Sequence, residues 1–327
     1  MRNMQRQRVW LLLLASCLAF LGVMPAKIGL ADEPKPAAAE ESLPLLTVAT
    51  TRFGSLDLMT LDVAGKNAVQ ITKDPAGAVQ PTWSPDGKQI AFTSYSSGSG
   101  QICVMNADGS DIKNISKNSG GDRNPQWSPD GKQIAFCATR SGSENVWLMN
   151  VDGSAAVNVT NLKDFDSDPA WSPDGKRLAF VSRRTGKFRL WTMNADGGDG
   201  VDLVKIDQTG GLYPTWSADG KQIVFGSRGE NNKVHLFVLN ADGSNMQPLT
   251  HGADANCSYA TWSPDGQYVA YIRFARWPYT LEPRAGAAAA PDADLMIYNT
   301  LDDTHTEISH GDISMWGPRP SWKPEGK

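Results

Sequence analysis

Histidine and cysteine are scarce, four of each in 327 residues, and most routes to an enzyme site go with them. No Gly-x-Ser-x-Gly elbow, His-Glu-x-x-His pair or Cys-x-x-Cys pair occurs, and Thr185-Gly186-Lys187 runs into Phe188, so no phosphate loop is complete. Excess positive charge is also missing. Removing residues 1–31 takes away Arg2, Arg6, Arg8 and Lys27 and no acid, so a formal charge of −4 becomes −8, the wrong sign for a nucleic-acid partner.

The chain has one long apolar run, Val9 to Val23, behind a basic start and ahead of Pro25, Lys27 and the small residues Gly29 and Ala31. It is shorter than the ~20 residues a membrane-spanning helix needs, and it reads as a secretory signal over residues 1–31. No membrane span is expected once it is removed. Leu14-Ala15-Ser16-Cys17 has the look of a lipidation box, but the apolar run continues past Cys17, which argues against an anchor there. Residues 32–43, rich in Pro, Ala and Glu, read as a solvated spacer. Cys103, Cys137 and Cys257 remain after export, and an odd count leaves at least one free thiol. Cys103 and Cys137 lie in apolar runs as small buried hydrophobes.

What is abundant is repetition. Trp83-Ser84-Pro85-Asp86-Gly87 returns at Trp127, Trp171, Trp216 (with Ala218 for Pro) and Trp262, and as Trp322-Lys323-Pro324-Glu325-Gly326. The tryptophan spacings are 44, 44, 45, 46 and 60 residues. A second phrase, Met105-Asn106-Ala107-Asp108-Gly109, recurs ending at Gly153, Gly197 and Gly243, always 26 or 27 residues after a Trp. A period in the forties with an aromatic and a turn per unit predicts propeller blades of four strands. The second and third strands, such as Ile90-Ala91-Phe92 and Val146-Trp147-Leu148-Met149, are nearly continuous in apolar residues, as strands covered on both faces must be.

Both Asp-Gly phrases fit tight type I turns. Since strand direction alternates, they fall on one face, and the variable loops fall on the other, where recognition is expected. Pro81, Pro125, Pro169, Pro214 and Pro320, each two residues before a Trp, cannot donate to a ladder and belong on an edge strand, the one nearest the axis. The first unit lacks its Trp strand and the last unit stops just after Trp322, so the two partial units complement each other. The expectation is an all-β, six-bladed propeller over residues 44–327, closed by three N-terminal strands and one C-terminal strand in a shared blade.

On these phrases the chain resembles the TolB family of WD-like propeller repeats, whose Pro-x-Trp-Ser-Pro-Asp-Gly-Lys-x-Ile-Ala-Phe and Met-Asn-Ala-Asp-Gly-Ser wording it carries almost letter for letter. The resemblance covers the propeller part only. TolB proteins carry an α/β domain ahead of the propeller, and twelve spacer residues are too few to form one. The resemblance implies a bacterial periplasmic or extracellular location and a docking platform for an envelope protein.

Two candidate sites follow. Three residues before each tryptophan stand Gln80, Asn124, Asp168, Tyr213, Tyr259 and Arg319, all able to hydrogen-bond, one per inner strand, forming a ring at the channel mouth for a peptide or sugar. The enlarged fifth interval holds Arg276, Trp277 and Tyr279, the composition of an interface anchor. Asp164, Asp166 and Asp168 are spaced like the start of a calcium loop but lack its later Gly and Glu, and read as a solvated acidic loop. His251 and His310 hold equivalent places in adjacent units, an echo of the repeat and not a metal pair. The expectation is a monomer without cofactor or metal that binds a protein or peptide in the cell envelope. The alternative is a carbohydrate-binding protein or a metal-dependent polysaccharide lyase on the same scaffold.

Overall fold

Phe92, Phe136, Phe180 and Phe225 occupy the middle of the second strand in successive units, and each is sealed from solvent. Burying one such ring stabilises the fold by about 1.5–3 kcal/mol, so the repeat places one strong apolar anchor in each of these units. The computed structural model describes residues 43–74, 76–118, 120–204, 210–229, 233–252, 255–274, 293–309, 313 and 318–324. The regular structure in them is entirely strand.

There are six four-stranded antiparallel sheets. Blade 1 holds β1 (Leu45–Thr50), β2 (Asp57–Asp62) and β3 (Val69–Gln70). Blade 2 holds β4 (Ala78–Trp83), β5 (Gln89–Ser94), β6 (Gln101–Asn106) and β7 (Lys113–Asn114). Blade 3 holds β8 (Asp122–Trp127), β9 (Gln133–Ala138), β10 (Asn145–Asn150) and β11 (Val157–Asn158). Blade 4 runs from β12 (Asp166–Trp171) through β13 (Arg177–Ser182) and β14 (Arg189–Asn194) to β15 (Val201–Asp202). Blade 5 has β16 (Gly210–Trp216), β17 (Gln222–Arg228), β18 (Val234–Asn240) and β19 (Gln247–Pro248). Blade 6 has β20 (Asn256–Trp262), β21 (Tyr268–Phe274), β22 (Ala293–Asn299) and β23 (Thr304–Glu307). The last strand, β24 (Ser321–Trp322), returns to blade 1 and pairs with β1, Leu46 opposite Trp322 and Thr47 opposite Ser321. The shared blade is therefore built as the sequence predicts.

The core lies between blades. Ala91, Ile102 and Val104 of blade 2 pack on Ile134, Phe136 and Met149 of blade 3, which is why second and third strands are apolar on both faces. Across the seam, Leu46, Val48 and Leu61 of blade 1 and Trp322 pack with Ile272, Leu295 and Ile297 of blade 6. Tryptophan also bonds blade to blade: the indole N–H of Trp171 donates to Gln126 O (3.3 Å), that of Trp216 to Ala170 O (3.2 Å) and that of Trp322 to Thr261 O (3.0 Å).

The turns follow their chemistry. In Ser84–Gly87 the Gly87 N–H donates to Ser84 O (2.9 Å), the Ser84 hydroxyl to Asp86 Oδ1 (2.7 Å), and Gly87 takes φ +66°. The second turn is constrained twice. Gly153 takes φ +84°, and a Cβ there would collide with the Ile115 carbonyl of the preceding blade. Gly65, Gly109, Gly197 and Gly243 repeat this close approach. In blade 6 the place is taken by Asp303, at φ +57°.

Asp166 is not part of a solvated acidic loop. It opens β12 with no exposed surface and takes the Arg184 guanidinium at 3.3 Å; Asp122 in blade 3 takes Arg140 at 2.5 Å in the same way. An unpaired carboxylate could not be buried there, so the arginine, eighteen residues on in both blades, makes the acid tolerable.

Candidate functional site

The residue three before each of the first five repeat tryptophans sits in a β-bulge. Gln80 and Pro81 of β4 together stand against the single residue Phe92 of β5, and the same two-against-one count places Asn124, Asp168, Tyr213 and Tyr259 opposite Phe136, Phe180, Phe225 and Tyr271. All five have left-handed backbone, φ +52° to +58°. Asn and Asp accept this conformation readily, but for tyrosine it costs of order 1–3 kcal/mol, which the surrounding blades must supply. Proline fits the next position because a bulge releases its nitrogen from the ladder.

The five bulges and the approach to the closing strand bring the ring residues toward the axis, more enclosed than a water-filled mouth predicts. Asn124, Tyr213, Tyr259 and Arg319 are buried, and Gln80 and Asp168 are half-buried. The ring has two unlike halves. On blades 2 to 4 the Asn124 N–H donates to Gln80 Oε1 (2.9 Å), and the Asn124 side-chain amide donates to Asp168 Oδ1 (2.8 Å). On blades 5 and 6 the Tyr213 and Tyr259 rings lie 4.0 Å apart at 33°. Arg319, two residues before the strand that closes the ring, reaches past blade 6 to donate from Nη2 to Pro214 O (2.8 Å).

Burial pushes the Asp168 carboxyl above its ordinary pKa, against the pull of Arg319 and Arg123 and of hydrogen bonds from Ser167 and Asn124. Burial also pulls Arg319 down, opposed chiefly by Asp168. A guanidinium stays charged under such a shift, so the ring holds a fixed positive charge facing an acid on the opposite blade. Among the described residues, Arg319 Nη1 and Asn124 Oδ1 are buried without a hydrogen-bond partner. One donor and one acceptor are thus left over at the axis.

Two supporting residues escape a reading based on the ring position alone. The Thr93 hydroxyl donates to Gln80 Oε1 (2.8 Å) and accepts the Asn124 N–H (3.1 Å); Cys137 Sγ accepts the Asp168 N–H (3.2 Å). Both follow the buried phenylalanine of the second strand, and each receives the N–H of the ring residue in the next blade. A hydroxyl or thiol directly after that Phe is the available signal. Cys103 and Cys137 are buried as expected, and Cys257 is buried too.

Arg276, Trp277 and Tyr279 lie outside the described residues, as does His310. Residues 275–292, to which the first three belong, connect β21 to β22. Among the described residues no group of three or more His, Cys, Asp or Glu could hold a metal ion, and no helix is long and apolar enough to cross a membrane.

With this geometry in place, known proteins can be compared. A TolB from Acinetobacter baumannii superposes with a TM-score of 0.67 at 22% identity, over 88% of this chain and 68% of that one. An Agrobacterium tumefaciens protein described as a TolB gives 0.65 at 18% identity, over 86% of this chain and 97% of that one. An oligogalacturonate lyase in complex with manganese gives 0.51 at 15% identity, over 81% and 73%. At these identities the likeness is one of fold. No curated protein matches the sequence. The family model of the TolB beta propeller domain matches residues 51–276, and the chain belongs to that family.

Proposed function

We propose that the chain is an exported, non-catalytic propeller that binds a protein or peptide of the cell envelope through its loop-rich face and axial ring. The observation that carries this reading is the unfinished hydrogen bonding at the axis: a buried donor on Arg319 and a buried acceptor on Asn124, with a tilted pair of tyrosine rings on the same ring of residues. An extended peptide offers a C=O and an N–H within one residue, and apolar side chains between them. Strained tyrosine backbone at the same place supports a binding role, because strain of this kind is kept where surrounding structure holds it for use. The family resemblance points the same way, and the acidic charge left after loss of residues 1–31 favours a basic or neutral partner.

Affinity capture from a solubilised envelope tests this with three baits: the wild-type protein, Arg319→Met, and a chain lacking residues 275–292. A discrete set of proteins should come down with the wild type and be lost or reduced at least tenfold with Arg319→Met, while melting curves establish that the variant is folded. Loss with the shortened chain assigns the segment holding Arg276, Trp277 and Tyr279 to the same interface. Equal capture by all three baits, or stoichiometric metal together with turnover of a glycan, overturns the reading.

A further inference from the structure

Blades 3 and 4 close their outer flank with the same plug. In blade 3, Trp147 of β10 lies opposite Phe136, and the Arg140 guanidinium covers both rings, at 5.4 and 5.1 Å from their centroids. In blade 4, Trp191 lies opposite Phe180, and Arg184 covers them at 4.5 and 5.1 Å. Each guanidinium then reaches a buried aspartate, Asp122 or Asp166, at the start of the inner strand.

Blade 2 has the phenylalanine and nothing else of the plug. Opposite Phe92 stands Cys103, the position of Arg140 and Arg184 is held by Ser96, and the inner strand opens with Ala78. Where the other two blades are filled, blade 2 has a cleft of about 650 Å³ against blade 1, with Ile71, Phe92, Cys103 and the half-exposed Ile112 among its walls. That volume falls within the range of small-ligand sites.

An acid stands here too, from a different position in the chain, with Lys73 beside it in the lining. Asp74, on the connection from blade 1, lies at the edge of the cleft, where its Oδ2 accepts the hydroxyls of Ser94 (3.0 Å) and Ser96. Among the described residues it pairs with no basic side chain. Burial, reinforced by Asp74, pushes the Cys103 thiol up to about 11, so it is a neutral wall and not a nucleophile.

We propose that this cleft is a binding site for a partner segment presenting an indole beside a guanidinium, the pair that fills the matching space in blades 3 and 4. The indole takes the place of Trp147, against Phe92 and Cys103, and the guanidinium lies over Phe92 and donates to Asp74, as Arg140 does over Phe136 toward Asp122. The site is separate from the axial ring and does not depend on the function proposed for it.

Calorimetric titration of the full chain with acetyl-Arg-Trp-amide tests the proposal, with methyl chemical shifts of Ile71 and Ile112 reporting the location. The expected result is saturable binding with a Kd of roughly 1 mM or tighter, with both methyls moving. Acetyl-Glu-Trp-amide and acetyl-Arg-Ala-amide should each bind at least about tenfold more weakly. The double variant Ser96→Arg/Cys103→Trp, which installs the plug of its neighbours, should abolish binding. Asp74→Asn leaves the core untouched and decides the matter if the double variant does not fold: it should weaken the Arg peptide about fivefold or more and leave the Glu peptide unweakened. No saturation by ~10 mM, equal binding of the Arg and Glu peptides, undiminished binding to Asp74→Asn or to a folded double variant, or shifts away from the cleft each overturn it.

Discussion

Blade 4 takes its four strands from one run of chain, residues 166 to 202, whereas blade 1 borrows its inner strand from the far end, and the two are held together differently. In blade 4 the ladder does most of the work, with β12 and β13 paired along their length around the bulge. At the seam β24 offers only two residue pairs, and side chains make up the difference. The Trp322 indole donates to Thr261 O and stacks on Tyr268 at 6.2 Å, the Ser321 hydroxyl accepts the Trp83 N–H (3.2 Å), and Lys323 lies over the Trp83 ring at 5.5 Å. A covalent hairpin closes a local loop cheaply. A seam joining residues 46 and 322 must offset the entropy of closing almost the whole ring, and buried aromatic anchors serve where backbone pairing is short.

The sharpest test compares two tryptophans. Trp322→Ala should cost about 3–5 kcal/mol in equilibrium denaturation, since it removes a buried ring and unfastens the closure. Trp171→Ala, at a half-buried ring inside a continuous blade, should cost clearly less. Equal losses would mean the closing strand is no more vulnerable than any other.

Glycines at the outer rim give the next test. Gly65→Ala, across the seam, and Gly153→Ala, between ordinary blades, each meet a neighbouring carbonyl at a positive φ, and both should cost about 2–5 kcal/mol. Gly266→Ala has positive φ but open space around its Cβ, and should cost about 1 kcal/mol. A much milder Gly65→Ala than Gly153→Ala would show that the rim, too, is looser at the closure.

The smallest effect is expected from pH, where axis and turns pull in opposite directions. Hydrogen bonds from Ser84, Ser128 and Ser172 lead in lowering Asp86, Asp130 and Asp174, and the Lys221 N–H leads at Asp219. Their contribution is present above the usual carboxylate value of 3.8 and is lost as pH falls through the lowered values. Asp168 is raised by burial, so the folded state holds its proton longer than the unfolded state does, and stability declines as pH rises from 3.8 through the raised value. Denaturation curves between pH 3 and 7 should show this decline flattened in Asp168→Asn, with the acid-side loss unchanged.

Much of the ring was legible because its signals are local and repeated. The Ser-Pro-Asp-Gly turn, the buried Phe, and the Trp at either end of the last interval each state a neighbour or a register, and together they predict which terminus completes which blade. The bulge was legible only as a proline that had to avoid a ladder; that Gln80 or Tyr213 turns left-handed shows only once two residues of one strand stand against one of the next. The Asp122–Arg140 and Asp166–Arg184 clamps were missed because acid and base lie eighteen residues apart, and spacing alone made Asp166 look solvated. The blade 2 cleft could have been found by aligning repeats on the third strand, where Cys103 stands for Trp147 and Trp191. A substitution within a repeat says what is missing, while folding decides whether the space collapses.

The outermost strands β3, β7, β11, β15 and β19 are each two residues long, and the longer β23 is tied down by Glu307, which pairs with Arg273. A disc whose perimeter offers so few free amides gives a passing chain nothing to zip onto. Strand-by-strand growth from one copy of the chain to the next therefore has little to start from at these outermost strands.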